Sequence, residues 1–235
     1  MELEMDPAHR LKLATSALHK QVDRHSLMKR LVAKDLGCAE YQLILLSQLK
    51  WLEQLQPLLN SLSLVDHFAP HHKINWLSAD LLVLSGMELL SPSLLNSDTC
   101  IRSNAQVAIT ADAGSVLHTS ENRILLPIPK MANASRAFAL GIHYVVEGST
   151  LGAQFIAPRV EQSLGRNDIT HFYRGYGSNV MSRWRDTLEI LNHALLSDEE
   201  QQLAISGAQA AFGLMLDTLE FQVRSNQVLN KQAVS

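Results

Sequence analysis

The sequence predicts an all-α protein, and three observations support that prediction. Apolar residues recur at helical spacing through most of the 235 residues, while the alternation of a half-buried strand is nearly absent. Hydrophobic residues make up 46% of the chain and charged residues 18%, a balance typical of a globular protein with a substantial core. Neither an internal repeat nor a low-complexity linker divides the chain, so we expect one helical-bundle domain over residues 1–235.

Three helices are predicted in the first part of the chain. The first runs from about Pro7 to Val32, and the second from about Ala39 to Leu62, where Pro57 is expected to kink or shorten it. The third is the segment KINWLSADLLVLSGMELL, residues 73–90. The stretch DHFAPHH before it is expected to be a solvated loop. Its histidines are His67, His71 and His72.

The second part of the chain begins with a polar, irregular connector at about 91–130. A long helix is then predicted from about Ser135 to Ile156, ending before Pro158 because the residue before a proline disfavours the α conformation. After the segment DITHFYRGYGSNVMSRWRDTLEILNHAL, a last helix opens with the capping-box sequence SDEE and continues to about Val223.

Charge and hydropathy exclude several classes of function. The net charge of −3 carries no polyanion-binding signature, so we expect no nucleic-acid partner. No apolar run reaches the length of a membrane span, and the first residues lack the pattern of a signal peptide. Cys38 and Cys100 form neither a metal-type pair nor a disulfide framework, which fits a reducing compartment. We therefore expect a cytoplasmic protein.

A stripe of polar side chains runs along the first predicted helix. Its members, three or four residues apart, are Lys12, Thr15, His19 and Asp23. An imidazole can ligate a metal through one nitrogen when the other donates to an acceptor, and Asp23 is spaced to be that acceptor, directly or through water. Lys12 would direct a cation toward an anionic group of the same ligand. Taken alone, the stripe fits the wet edge of an amphipathic helix better, and nothing local favours His19 over His25.

Two glycines interrupt the long apolar helix at YVVEGSTLGAQFI, residues 144–156. Each costs about 1 kcal/mol relative to alanine in a helix interior, and their spacing of four places Gly148 and Gly152 on one face. From spacing alone we favour the close approach of another helix, with a flat, rigid ligand as the alternative. Glu147 and Ser149 would offer polar groups beside the gap. GSTLG lacks the strand and the spacing of a hydrolase elbow, so a serine nucleophile is a poor interpretation.

Taken together, four segments resemble the bacterial heme oxygenases, in the right order and over most of the chain. LKLATSALH is similar to the family's LK-x-AT-x-x-x-H pattern, and EGSTLGA to its EGS-x-LGG pattern. WLSADLLVL and FYRGYGSNVMSRWRDTL resemble the family's L-x-x-DL and F-x-x-YG…W-x-x-F/L segments. The matching residues are Leu77, Asp80, Leu81, Phe172, Tyr176, Gly177, Trp184 and Leu188. The resemblance implies a helical bundle that holds heme between the first helix and a kinked distal helix.

The resemblance also implies roles for the two sites. His19 corresponds to the proximal ligand of the heme iron, and Asp23 to the carboxylate that tunes this ligand. Gly148 and Gly152 correspond to glycines that contact the heme, and Ser149 to the polar residue beside the distal pocket.

Further residues correspond to partners of the heme propionates. Lys12 matches a propionate-binding lysine, and Tyr144 a tyrosine that reaches a propionate in some bacterial members. Arg185 is a looser match to a basic propionate partner, with Arg183 as its alternative. His143, beside Tyr144, is expected either on a solvated helix face or near a propionate.

The activity implied is the oxidative cleavage of heme to biliverdin, iron and carbon monoxide. Heme is then both substrate and cofactor, and the reaction uses O2 and electrons from an external reductant. The implied partners are a ferredoxin- or flavodoxin-type electron donor and a bacteriophytochrome that receives biliverdin.

The sequence departs from the family pattern at Ala153, which replaces the second glycine of a pair. This extra methyl group supports the alternative of a non-catalytic heme-binding or heme-carrier protein of the same fold. A third hypothesis is a helical protein without heme, whose site is the histidine cluster at 66–72 or absent. The connector at 91–130 is longer than is usual in the family.

Overall fold

A computed structural model describes residues 6–62, 70–86 and 132–232, with side chains over 6–62, 72–86 and 136–227. Every regular element in these ranges is helical, which confirms the all-α prediction. The α-helices are α1 (Pro7–Arg24), α2 (Ser26–Arg30), α3 (Cys38–Asn60), α4 (Pro70–Leu84), α5 (Ala132–Leu164), α6 (His171–Arg174), α7 (Val180–Ala194) and α8 (Asp198–Gln232). A 3-10 turn at Gly177–Asn179 precedes α7.

The first predicted helix is divided at His25. Its backbone adopts φ −59° and ψ 141°, which is incompatible with a continuous helix, and α2 begins at the next residue. The His25 ring supplies the cap, because its Nδ1 accepts a hydrogen bond from the Leu27 amide at 3.3 Å. The prediction of one continuous helix to Val32 is therefore wrong after Arg24. The His25 side chain caps a new helix, so the first helix ends there.

Two prolines lie inside helices that were expected to stop or shorten at them. α3 continues past Pro57 to Asn60, and α5 continues past Pro158 to Leu164. Near Pro158 the apolar face continues, since Ala157 and Val160 are buried in the core. Packing of this face outweighs the cost of about 3 kcal/mol that a proline imposes in a helix interior.

The core is organised around α8, against which α5, α1 and α3 pack. α8 begins with the predicted capping box: the Ser197 hydroxyl accepts from the Glu200 amide at 3.2 Å, and Glu200 accepts from the Ser197 amide at 2.9 Å. α3 is tied to α8 where Trp51 Nε1 donates to the Ala211 carbonyl at 2.8 Å. α7 contacts both α5 and α1.

Several expectations fall wholly or partly outside the described residues. They are the connector at 91–130, His67, and the side chain of His71. α4 begins at Pro70, so the backbone of His71 and His72 is helical, and the expected loop is wrong there. Within the described ranges, no helix is both long and apolar enough to span a membrane. Cys38 is the first residue of α3, and Cys100 lies outside the described residues, so the expectation from cysteine spacing stays a prediction.

Candidate functional site

His19 lies on the exposed side of α1 with one ring nitrogen already engaged. Its Nδ1 is 2.9 Å from Asp23 Oδ2, and both side chains are about 60% exposed. The ring meets Phe212 of α8 edge-on, with 5.7 Å between the ring centroids. Because Asp23 engages Nδ1, the ring is oriented with Nε2 as the nitrogen available to a metal.

His25, the competing imidazole, has a structural role. Its side chain is 7% exposed and Nε2 lies 3.3 Å from Glu220 Oε1, while Nδ1 caps α2. Both ring nitrogens are thus in use inside the protein. The structure separates two histidines that the sequence left equivalent, and His19 is the one with an accessible nitrogen.

Gly152 presents open space, whereas Gly148 is half-buried beside a side chain of α7. A Cβ built on Gly152 would meet nothing within 4 Å, and one built on Gly148 would lie 3.4 Å from the indole of Trp184. Close helix packing occurs elsewhere on α5: a Cβ on Gly141 would lie within 2 Å of the Ala204 carbonyl oxygen of α8. The interpretation favoured from spacing alone is therefore wrong for Gly152, which faces open space, while Gly148 faces the Trp184 side chain of α7.

The side chains beside these glycines turn back onto their own helix or into the core. Ser149 is exposed, and its hydroxyl donates to the Val146 carbonyl at 2.8 Å. Thr150 donates to the Glu147 carbonyl at 2.6 Å. Ala153 is 6% exposed, so its methyl group lies in the core rather than on the bare face. Hydroxyl groups that bond back to their own helix slightly destabilise it.

The cationic and aromatic residues assigned to propionates lie on three different helices. Lys12 is exposed on α1, and Arg185 is exposed on α7 with its Nε donating to the Met181 carbonyl at 3.3 Å. Tyr144 is half-buried on α5, where burial raises the pKa of its hydroxyl, and its ring is 5.4 Å from that of Trp184. The structure thus makes Trp184 of α7 the common neighbour of Tyr144 and the bare segment.

A buried polar cluster lies directly before the bare segment. Lys73 of α4 and Glu147 of α5 form an ion pair at 3.2 Å with both side chains 2% exposed. Lys73 Nζ also donates to the Tyr176 hydroxyl at 3.0 Å, and that hydroxyl donates to Glu147 Oε1 at 3.4 Å. Glu147 therefore points into the protein, not beside the gap as expected.

Two further groups complete this cluster. His143, one turn before Glu147, is 2% exposed, so the expectation of a solvated residue is wrong. Burial lowers the pKa of His143 to about 4, and that of the Lys73 ammonium below its ordinary value, although Glu147 opposes both shifts. The Arg183 guanidinium lies 4.0 Å from the Tyr176 ring centroid, so this arginine faces the cluster.

Asp80 fixes the segment that carries Tyr176. Its carboxylate is fully buried and accepts hydrogen bonds from the His171 and Phe172 amides, each at 2.9 Å, and it lies 2.7 Å from His171 Nδ1. Burial raises the pKa of the Asp80 carboxyl, and these hydrogen bonds oppose that rise. Asp80 thereby holds the start of α6 against α4.

Sequence reasoning missed the role of Lys73 altogether and misplaced Glu147. A charged residue inside the apolar run YVVEG was a usable signal for a buried partner, because unpaired charges are rarely buried. Nothing in HHKIN identifies Lys73 as that partner, since the two residues are 74 positions apart.

Known proteins share sequence or fold with this chain. The family model described as Heme oxygenase matches residues 117–220, a segment that contains α5, α6, α7 and most of α8 but not His19. Heme oxygenase PigA of Pseudomonas aeruginosa is 32% identical over 124 residues, which cover 51% of this chain. The match spans 58% of the length of that curated relative.

The fold resembles a solved structure over nearly its whole length. Heme oxygenase from Leptospira interrogans superposes with a TM-score of 0.61 at 14% sequence identity, covering 92% of this chain and 98% of that one. At this identity the likeness concerns the fold. Family model, curated relative and fold agree with one another and with the segments named above, and all three make this chain similar to heme oxygenases.

Proposed function

We propose that this protein is a heme oxygenase that cleaves heme to biliverdin, iron and carbon monoxide. The single observation that carries the proposal is that one bundle holds both an imidazole oriented by Asp23 and a helix face without side chains at Gly148 and Gly152. The two lie on helices that both pack on α8 and contact α7. A histidine that can donate one nitrogen and a surface without side chains suit a flat, iron-containing ring.

The residues present fit heme by their chemistry. His19 would hold the iron through Nε2, since Asp23 is bonded at Nδ1. Gly148 and Gly152 would let the ring approach the backbone of α5, with Ser149 as the polar residue beside it. Lys12, Tyr144 and Arg185 would hold the propionates.

Bound heme would supply the iron centre that activates O2, and would also be the molecule that is opened. The protein would contribute orientation, because propionate anchors decide which edge of the ring faces the distal side. His19 would stay a neutral ligand while Asp23 fixes its ring. The exposed site also suits a soluble electron donor of the ferredoxin or flavodoxin type, with a bacteriophytochrome as a recipient of biliverdin in the cytoplasm.

The carrier alternative loses the observation that favoured it. Ala153 was its support, because an extra methyl group on the bare face would obstruct the reaction. That methyl group is buried in the core, so Ala153 gives no reason to expect binding without cleavage.

Hemin titration followed by reduction tests the proposal. The protein should give a Soret band that saturates at one hemin per chain. In air with ascorbate or reduced ferredoxin, that band should be replaced by the spectrum of a bile pigment. His19→Ala should raise the Kd for hemin at least tenfold, whereas the control His25→Ala should leave the Kd unchanged. Saturable binding without any pigment would support a carrier, and no Soret band would contradict both functions.

A further inference from the structure

The bare segment of α5 is not held by its own side chains. Gly152 has open space around it, and Gly148 has only the Trp184 indole within reach of a Cβ. Ser149 and Thr150 use their hydroxyls on carbonyls of the same helix. If a ligand lies against this backbone, the position of the segment must be fixed by what borders it.

The N-terminal border is the buried ion pair of Lys73 and Glu147. Glu147 directly precedes Gly148, and its carboxylate is joined to α4 through Lys73 and to the chain between α6 and α7 through the Tyr176 hydroxyl. Tyr176 is itself enclosed: the Lys73 ammonium lies 4.3 Å and the Arg183 guanidinium 4.0 Å from its ring centroid. The Trp76 ring meets it edge-on at 5.4 Å. Three elements thus meet at one carboxylate at the edge of the bare segment.

Stability alone is a weak reason for such a pair. Removing two charges from water costs several kcal/mol per ion, and apolar residues of similar volume often serve stability equally well. What an ion pair adds is direction, because a charged hydrogen bond holds its partners at a defined distance and angle. One oxygen, Glu147 Oε2, has no hydrogen-bond partner within the described protein, so the cluster is not optimised for stability.

We infer that Lys73, Glu147 and Tyr176 are positioning residues that set where the glycine segment of α5 lies relative to a bound ring. The inference deepens the proposed function and rests on it. The three side chains do not touch the ligand. They act through the backbone at Gly148, and they decide how closely it approaches the bound ring.

Amide hydrogen exchange of the hemin-free protein tests the anchor without any ligand. The main variant is Lys73→Met/Glu147→Met, which replaces both charges with flexible apolar side chains of similar length. We expect its global stability to stay close to that of the parent, because neither charge is left alone in the core. Exchange in the peptide 148–156 should nevertheless become about tenfold faster, while exchange of amides in 138–143 stays unchanged.

Tyr176→Phe provides a milder variant that keeps the ion pair and removes one hydroxyl. We expect a smaller acceleration, confined to the same peptide. Tyr173→Phe is the matched control, since it also removes a buried tyrosine hydroxyl, one that donates to Gln48 Oε1 of α3 at 3.0 Å. It should not change exchange in 148–156. Unchanged exchange in the double variant, or equal acceleration in Tyr173→Phe, would overturn the inference.

A second readout uses hemin. In the double variant, the visible spectrum of the hemin complex should shift and the mixture of bile-pigment isomers should change, while the Kd rises no more than about threefold. Tyr173→Phe should match the parent in all three. If the parent protein does not bind hemin, the proposed function fails, whereas the exchange result still decides whether the anchor exists.

Discussion

The two halves of α5 use glycine for opposite purposes. In the first half, Gly141 packs against α8 so closely that a Cβ would lie within 2 Å of the Ala204 carbonyl oxygen. A Cβ built on its counterpart on α8, Gly207, would likewise lie within 2 Å of the Phe138 carbonyl oxygen. In the second half, Gly152 is exposed and a Cβ there would meet no atom within 4 Å. The missing side chain at Gly141 makes room for α8, whereas the missing side chain at Gly152 leaves open space at the protein surface.

Because of this difference, a glycine substitution in the first half reports on helix packing, and one at Gly152 reports on ligand binding. A methyl group added at Gly141 must push two helices apart. A side chain added at Gly152 costs the protein alone nothing, so an effect on ligand binding reports on the ligand. The boundary between the halves is Glu147, the last buried residue before the bare face.

The largest expected effect is that of Gly141→Ala. The new methyl group would collide with backbone atoms, which cannot rotate away, so α5 and α8 must separate. We expect the free energy of unfolding to fall by about 4 kcal/mol or more. Urea denaturation measures it, with Gly213→Ala as the control because a Cβ at Gly213 also meets nothing within 4 Å. Equal stability of the two variants would contradict the close packing of α5 on α8.

An intermediate effect is expected from His143, in the buried half. Its pKa is about 4 in the folded protein against an ordinary value of 6.5, so the unfolded chain binds more protons between these values. The contribution of neutral His143 to the free energy of unfolding is therefore fully present above pH 6.5. It is lost as the pH falls toward 4, by about 3 kcal/mol in total.

Comparison of pH profiles isolates this contribution. Free energies of unfolding measured from pH 7.5 to pH 4 should fall less steeply in His143→Gln than in the parent protein. His9→Gln, at an exposed position of α1, should follow the parent. Parallel profiles for all three proteins would mean that His143 is not held neutral by burial.

The smallest expected effect is that of Ala153→Gly, which restores the second glycine of the family pattern. Because the Ala153 methyl group is buried, its removal should lower the free energy of unfolding by about 1–2 kcal/mol through helix propensity and lost packing. Hemin affinity should change less than twofold. A large gain in affinity would show that this methyl group faces the ligand after all.

Local spacing predicted what lies within one or two helical turns. The His19–Asp23 contact follows from a separation of four on a helix, and the structure shows the two groups in direct contact at 2.9 Å. The capping box at the start of α8 was predicted for the same reason. The helix break at His25 was not predicted, because a histidine is compatible both with a cap and with a continuing helix. The residues around it carry no composition that distinguishes the two.

Long-range partnerships could not be predicted in this way. The pairing of Lys73 with Glu147 requires α4 and α5 to meet, and no local pattern encodes their register. The role of the glycines was equally ambiguous, since a spacing of four is the same whether a helix or open space faces it. Only the three-dimensional arrangement separates Gly141 from Gly152.

The central claim is that a heme ring lies against the face of α5 at Gly148 and Gly152, and Gly152→Leu tests it most directly. The leucine side chain would enter open space, so the hemin-free protein should fold normally and be about 0.5–1 kcal/mol more stable through helix propensity. In a hemin titration monitored at the Soret band, the Kd should rise at least tenfold, because the side chain would occupy the space of the ring. An unchanged Kd in this stable variant would contradict the claim.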